Sequence, residues 1–303
     1  MRISTGKAIF LFTLIILIWG LNWAVIKLIV LEITPLWSAA YRCIIAAVVL
    51  LVVQGATGNL KLPERRDVRF ILLVGVFNIA ITAACIAIGV QLVPVGRSVV
   101  LGYTTPLWVV PAARIFLNEA VPPRRIAGTA AGMVGIAILC GMPGEGTLDA
   151  SVLAGYGIIL LSALSWAIAI IGIRAHTWHT TPLQLLFWQL LVPSVLLSAL
   201  AFAVEGPPVP PLDPTLLALL AYCGIPATAL AYWVMLVINA SLPATTTSLG
   251  VLATPVVGIL GGCLVFGEGV DLPLAIASAL ILGGIAFGMI PPGYLRRRRS
   301  AGG

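Results

Sequence analysis

Charge is what this chain has least of. Asp, Glu, Lys and Arg make up 9% of its 303 residues, against 60% for the hydrophobic types. A soluble globular domain carries about a quarter charged residues, so there is too little charge here to cover a water-facing surface. Histidine is nearly missing, with two residues, and the five cysteines (Cys43, Cys85, Cys140, Cys223, Cys263) are odd in number. None has metal-ligand spacing such as Cys-x-x-Cys; all sit in apolar segments and read as free thiols acting as small apolar residues. Walker A, His-Glu-x-x-His and nucleophile-elbow patterns are absent. No catalytic residue, metal or cofactor is expected, and the chain is not read as an enzyme. The net charge of +7 does not indicate nucleic acid, because the Lys and Arg cluster at the ends of apolar runs and not on one soluble face.

What is there is apolar sequence in long runs, with a mean hydropathy of +1.12. The solvent is therefore lipid. A hydrocarbon core of ~30 Å takes ~20 apolar residues per helix, and ten such spans are read: 8–30, 35–54, 68–90, 94–117, 124–141, 152–174, 182–203, 215–237, 243–266 and 272–290. Their length and lack of alternation favour helices over barrel strands. Gly55 to Asp67, Gly141 to Asp149 and Glu205 to Asp213 are the clearest polar joints. Arg2 and Lys7 followed by IFLFTLIILIW resemble a leader. The apolar run continues past Trp23 without a small-residue cleavage site, so it reads as the first span.

Charge asymmetry sets the orientation. With the N-terminus inside, fourteen of the seventeen Lys and Arg fall on the cytoplasmic side, among them Arg114, Arg124, Arg125, Arg174 and the run Arg296 to Arg299. Lys27 and Arg97 fall outside, and Arg42 lies within a span. The Arg296–Arg299 run suits an anionic cytoplasmic leaflet.

The chain also repeats itself. Pro94, Thr105-Pro106, Glu119 and Gly135 recur as Pro243, Thr254-Pro255, Glu268 and Gly284, each 149 residues later. Trp19, Lys27 and Thr34-Pro35-Leu36 recur as Trp166, Arg174 and Thr181-Pro182-Leu183 at an offset of 147. Two related halves follow, 1–145 and 146–303. Five spans per half is an odd number, so the second half enters the membrane upside down relative to the first. Inverted pairs of this kind place a binding site near the midplane between the halves. The fold expected is an all-α integral membrane protein of ten helices, in two inverted five-helix repeats around a central cavity.

Polar side chains inside a membrane are costly unless paired or facing a cavity, which makes them the candidates. Span 1 carries Trp19, Asn22 and Trp23; span 3 carries Asn78, Thr82 and Cys85 on one face; span 4 carries Tyr103, Thr104, Thr105 and Trp108. Span 6 adds Ser162, Ser165 and Trp166; span 8 adds Thr228, Tyr232 and Trp233; span 9 adds Thr245 to Ser248, with Thr247, and Thr254. Each hydroxyl either bonds a neighbouring helix or meets a ligand. Pro106 and Pro255 each remove a helix hydrogen bond near mid-membrane. The freed carbonyls either meet a ligand or are satisfied by the adjacent Thr, and the kink is a candidate hinge. No Asp or Glu lies mid-span, so no buried proton- or sodium-binding carboxylate is visible and movement down a gradient stays open. Arg42 either snorkels or attracts a substrate carboxylate. Glu119 and Glu268 read as ties for span ends, with a transport role as the alternative, and His176 and His179 read as solvated loop residues. Gly128, Gly132 and Gly135 with Gly283, Gly284 and Gly288 offer flat faces, used within the chain or in a weak homodimer.

Ten spans in two inverted halves, with the Trp19 block echoed at Trp166 and Thr-Pro…Glu late in each half, resemble the drug/metabolite transporter superfamily. The resemblance covers nearly the whole chain and is nearest to the EamA-like carriers, and within them to YddG-type exporters of aromatic and other neutral amino acids. It implies alternating access around a cavity lined by spans 1, 3, 4, 6, 8 and 9, and export across a bacterial inner membrane. A nucleotide-sugar, phosphorylated-sugar or drug carrier is the rival within transport, although phosphate calls for several cavity cations. A lipid-modifying membrane enzyme is the rival outside it, and should show clustered carboxylates or His at a span end.

Overall fold

In the computed structural model, which describes residues 3–142, 149–208, 213–242 and 244–289, ten helices are long and apolar enough to cross a membrane. Arg2, Pro243 and Arg296 to Arg299, singled out above, lie outside the described residues, as do the side chains of Thr245 and Ser248. The helices are α1 Thr5–Glu32, α2 Pro35–Ala56, α3 Arg65–Leu92, α4 Val95–Phe116, α5 Pro123–Gly141, α6 Ala150–Ala175, α7 Pro182–Glu205, α8 Pro214–Ser241, α9 in two segments (Ala244–Val251 and Thr254–Phe266) and α10 Leu272–Met289. No strand occurs among the described residues. The starts follow local chemistry. Proline opens α2, α5, α7 and α8, where its missing N–H has no intrahelical partner to lose. Asp149 and Asp213 cap α6 and α8 by accepting from Val152 N and Leu216 N. Large apolar side chains such as Phe10, Phe116 and Leu264 stay exposed on the outside, as lipid contact requires.

Two departures from straight helices bear on the site. α4 breaks after Gly102 and resumes at Thr105; α9 breaks after Val251 and resumes at Thr254. Pro106 cannot donate to the Gly102 carbonyl, and Thr105 Oγ1 donates to it instead, at 3.4 Å. The repeat is imperfect, because the buried Thr254 hydroxyl makes no such bond to the break in its own helix. The second departure was not foreseen. α3 and α8 each widen into a π-helical stretch, Val74–Ile81 and Ile225–Leu230. The extra residue is stabilised the same way in both: Thr82 donates to Phe77 O (3.0 Å) and Thr228 to Cys223 O (2.7 Å).

Helices pair as though exchanged between halves. α1 packs on α9 as α6 does on α4, and α3 packs on α6 as α8 does on α1. α2 and α7 lie antiparallel, tied at both ends: Gln54 donates to Leu183 O (2.6 Å), and Glu205 accepts from Leu36 N (2.9 Å). α5 packs most extensively on α10, where a Cβ on Gly128 would collide with the Gly284 carbonyl. Those glycine faces are used within the chain, except that Gly283 meets nothing. Gly128→Ala is expected to cost about 1–3 kcal/mol, because backbone and not a flexible side chain stands in the way. A thermal melt in detergent reads it, and an unchanged midpoint would show that the helices separate freely there.

Asp67 corrects an expectation. It is not in a solvated joint but in the first turn of α3, and it is fully buried. It accepts from Thr180 N (2.7 Å), from His179 N and from the His176 ring (2.8 Å). His176 is therefore not solvated either; it stacks on Phe70 with ring centroids 3.8 Å apart. A buried carboxylate gathers every donor in reach, which pulls the 176–180 loop onto α3.

Candidate functional site

A cavity of about 510 Å³ opens between α4, α5, α6, α8, α9 and α10. Its deep end is set by Gly102, Tyr103, Thr105 and Pro106 at the α4 break, Trp166 on α6, and Thr247, Val251 and Leu252 at the α9 break. From there it extends to the helix ends that carry Arg125, Arg174, Asn239 and Met289. The lining is mostly aliphatic, with Trp166 and Tyr103 as its aromatic faces. Small polar groups and a few aromatics in an apolar cleft suit one amphipathic molecule.

Beyond the floor the bundle is shut. Trp23 is buried, sits against Gly102 and tilts onto Tyr103 with centroids 6.5 Å apart. At the helix ends behind it, Glu268 accepts from Val95 N (2.7 Å) and Gly96 N (2.9 Å), the opening N–H groups of α4, and pairs with Lys27 of α1 at 3.2 Å. Carboxylates are favoured at helix N-termini, where N–H groups have no partner in the helix. Arg97, read from the sequence only as a charge at the outer end of span 4, is buried. It donates to Leu139 O, Met142 O, the Tyr156 hydroxyl and Asp271 at 3.1, 2.8, 2.9 and 2.6 Å. Asp271 also caps α10 by accepting from Leu274 N at 2.8 Å. Four helices are thus drawn together around one guanidinium, through contacts up to 174 residues apart.

The open end carries a register mate of this seal. Glu119 pairs with Arg174, which lines the cavity mouth. That pair is more exposed than its mate: 42% and 32% of the two side chains, against 19% and 14% for Lys27 and Glu268. Both glutamates follow a residue in the left-handed region, Asn118 (φ 52°) and Gly267 (φ 66°). In each case the Glu N–H closes the turn onto the carbonyl six residues back, Ala113 or Gly262. This helix ending suits Gly and tolerates Asn, and it aims both carboxylates alike.

Of the candidates named from sequence, Tyr103, Thr105, Trp166, Thr247 and Pro106 line the cavity. The others lie around it. Trp19 donates to Ala227 O (3.0 Å) inside the widened turn of α8 and meets Tyr232 edge-on at 6.4 Å. Asn22 accepts from Cys223 at 3.0 Å. Thr82 closes the α3 π-turn, and Asn78 beside it keeps an enclosed Oδ1 with no partner. Thr104 donates to Leu101 O (2.6 Å) and accepts from Trp108 (3.3 Å), so both brace the α4 break. Pro255 is buried just past the α9 break. Asp67, His176 and His179 place ligand atoms within 4.8 Å of one another, the one such group of His, Cys, Asp or Glu found among the described residues. Its carboxylate is already engaged by backbone N–H groups, and we read it as a loop tie. At the surface, Asp149 is held below the usual carboxylate range by the Val152 N–H and Ser151 hydroxyl it accepts from.

The EamA-like transporter family model matches twice, at residues 6–141 and 153–289. The chain belongs to the EamA-like transporter family. Relatives of this transporter include the uncharacterized transporter YoaV of Bacillus subtilis, 25% identical over 271 residues (89% of this chain, 92% of that one). A riboflavin transporter of Rhizobium johnstonii is 30% identical over 211 residues (70% and 66%). A probable amino-acid metabolite efflux pump of Salmonella typhimurium is 23% identical over 286 (91% and 92%). A solved crystal structure shares the fold of the transporter at a TM-score of 0.63, with 22% identity over 98% of this chain and 99% of that one. The transporter is thus a multi-pass membrane protein for small-molecule substrates.

Proposed function

We propose that the chain exports neutral amino acids, aromatic ones among them, or closely related metabolites by alternating access. It would do so across the bacterial inner membrane with both termini cytoplasmic. In this reading residues 1–145 and 146–303 are inverted copies of one five-helix unit. The observation that carries it is the cavity, which reaches the Arg174 end while the Lys27 end is sealed by Glu268, Arg97 and Trp23. Because the Arg-rich end is the cytoplasmic one by charge bias, this is the state that loads cargo from inside.

The register mates supply the other state. Glu268 holds the N–H groups of Val95 and Gly96; residues 149 further on are Ala244 and Thr245, which open α9. When the cavity faces outward, Glu119 takes those N–H groups and Glu268 releases its own. The breaks at Pro106 and Pro255 are the hinges, and Trp166 and Tyr103 stack against the cargo. The name of the Salmonella typhimurium relative supports an amino-acid cargo. That of the Rhizobium johnstonii relative supports a second reading, a flat heterocycle such as riboflavin. A phosphorylated sugar is disfavoured, since phosphate calls for several cations and Arg42 is the one cation at mid-span depth.

Counterflow in liposomes with labelled amino acids, riboflavin, a nucleotide sugar and a cationic drug separates these. Neutral amino acids are expected to exchange. Trp166→Ala is expected to slow exchange roughly fivefold, the worth of about 1 kcal/mol of stacking, with little change in melting temperature because its ring borders open space. Exchange of riboflavin alone would overturn the amino-acid reading.

A further inference from the structure

Among the described residues, three of the cations in or beside the spans have their anions: Lys27 has Glu268, Arg97 has Asp271 and Arg174 has Glu119. Arg42 has none. It sits seven residues into α2, about 10 Å along the axis from the sealed end. Its Nε is enclosed with no hydrogen-bond partner, although the residue as a whole is only half-buried. Its surroundings are neutral. Its charge acts on Cys43 of its own helix and on Cys223 and Tyr232 of α8, and its backbone carbonyl lies against Gly224. Tyr232 in turn interacts electrostatically with Tyr103 at the cavity floor. Tyr103 is eight residues past the start of α4, about 12 Å from the same sealed end, so the two lie at matching depth.

A cation at this depth without a counter-ion costs free energy, and an arginine that serves the scaffold is bonded as Arg97 is. The arrangement makes sense when the anion comes and goes. We infer that Arg42 anchors the carboxylate of the transported molecule at the deep end of the pathway, with the rest of the cargo directed toward Tyr103 and Trp166. A planar guanidinium matches a carboxylate with two parallel N–H···O bonds, and the ligand class is small organic acids, zwitterionic amino acids included. This rests on the export reading above only in what else the cargo carries.

The test is a set of binding titrations by tryptophan fluorescence on the full chain in detergent. The probes are L-phenylalanine and 3-phenylpropionate, each beside its amide. Each acid is expected to bind at least tenfold more tightly than its amide, R42K to narrow that ratio, and R42Q to bring it near one. Ligand-free R42Q is expected to melt at or above the wild-type temperature, since an unpaired charge has gone. A wild-type acid-to-amide ratio near one, or a ratio that survives in R42Q, overturns the anchor; Arg42 then snorkels to lipid phosphate. The same holds if R42Q melts far below wild type, which marks a scaffold arginine. Binding of 3-phenylpropionate without L-phenylalanine keeps the anchor and removes the amino-acid reading. Equal binding of L-phenylalanine and its amide does the reverse. No binding of either acid overturns the anchor.

Discussion

Glu268→Gln is expected to open the sealed end of the bundle. The carboxylate holds two backbone N–H groups of α4 and the Lys27 ammonium at once. An amide keeps one acceptor, turns a donor toward the remaining N–H, and leaves Lys27 unpaired. Hydrogen bonds to a charged group contribute roughly 1.5–3 kcal/mol. A loss of about 2 kcal/mol from one state alone shifts the balance between states roughly thirtyfold. A single cysteine at Val99, fully buried behind the floor against Gly258, in a background without the native cysteines, reports this. Its reaction with an impermeant thiol reagent from the sealed side should rise by that factor. Glu119→Gln should move it the other way, because its partner N–H groups belong to the opposite state. Both variants should slow transport, since a cycle needs both seals. Equal labelling in wild type and both variants would make the glutamates passive helix ends.

Arg97→Gln is expected to be the most destabilising single change. The guanidinium is 4% exposed and satisfies two carbonyls, one hydroxyl and one carboxylate from three other helices. Removing one partner of a buried ion pair costs about 3–5 kcal/mol, because the groups left behind lose both partner and water. Asp271→Asn should cost clearly less, since that carboxylate is 26% exposed and water can replace part of the loss. Thermal melts of the two single variants and the double variant form a cycle whose coupling isolates the pair. A double variant no more stable than the sum of the singles predicts would reduce Arg97 to a packing residue.

The membrane class was legible because it depends on totals: a chain with 9% charge has no way to face water on all sides. Span count followed from bilayer thickness. The repeat was visible because Pro, Gly and Glu at helix ends do backbone work that few other residues can do. The cavity lining was only partly legible. The spans are apolar nearly all round, so no periodicity says which face is turned inward, and of the polar and aromatic candidates Tyr103, Thr105, Trp166 and Thr247 reach the cavity. Trp19 and Trp166 are register mates, yet one is bonded into α8 and the other borders open space. That difference belongs to the state adopted, which a repeat cannot encode.

The missed groups share one property. Arg97 and Asp67 act on partners far along the chain, 174 and 113 residues away. Read locally, one was a charge at the outer end of a span and the other the edge of a polar joint. Glu268 was legible as a tie for a span end, and only its partner, 173 residues away, was hidden. The paired π-turns were hidden for a related reason, since the i−5 bond of Thr82 or Thr228 looks in sequence like any threonine in a helix.

By itself the sequence determined that the chain lives in lipid, crosses it ten times and carries one motif twice. Each of those follows from local backbone geometry and the transfer of apolar side chains out of water. Only the tertiary structure decided which end is shut, which charges are answered and that Arg42, among the described residues, is not. Those outcomes depend on which helices meet, and a donor finds its acceptor only once packing has excluded water from both.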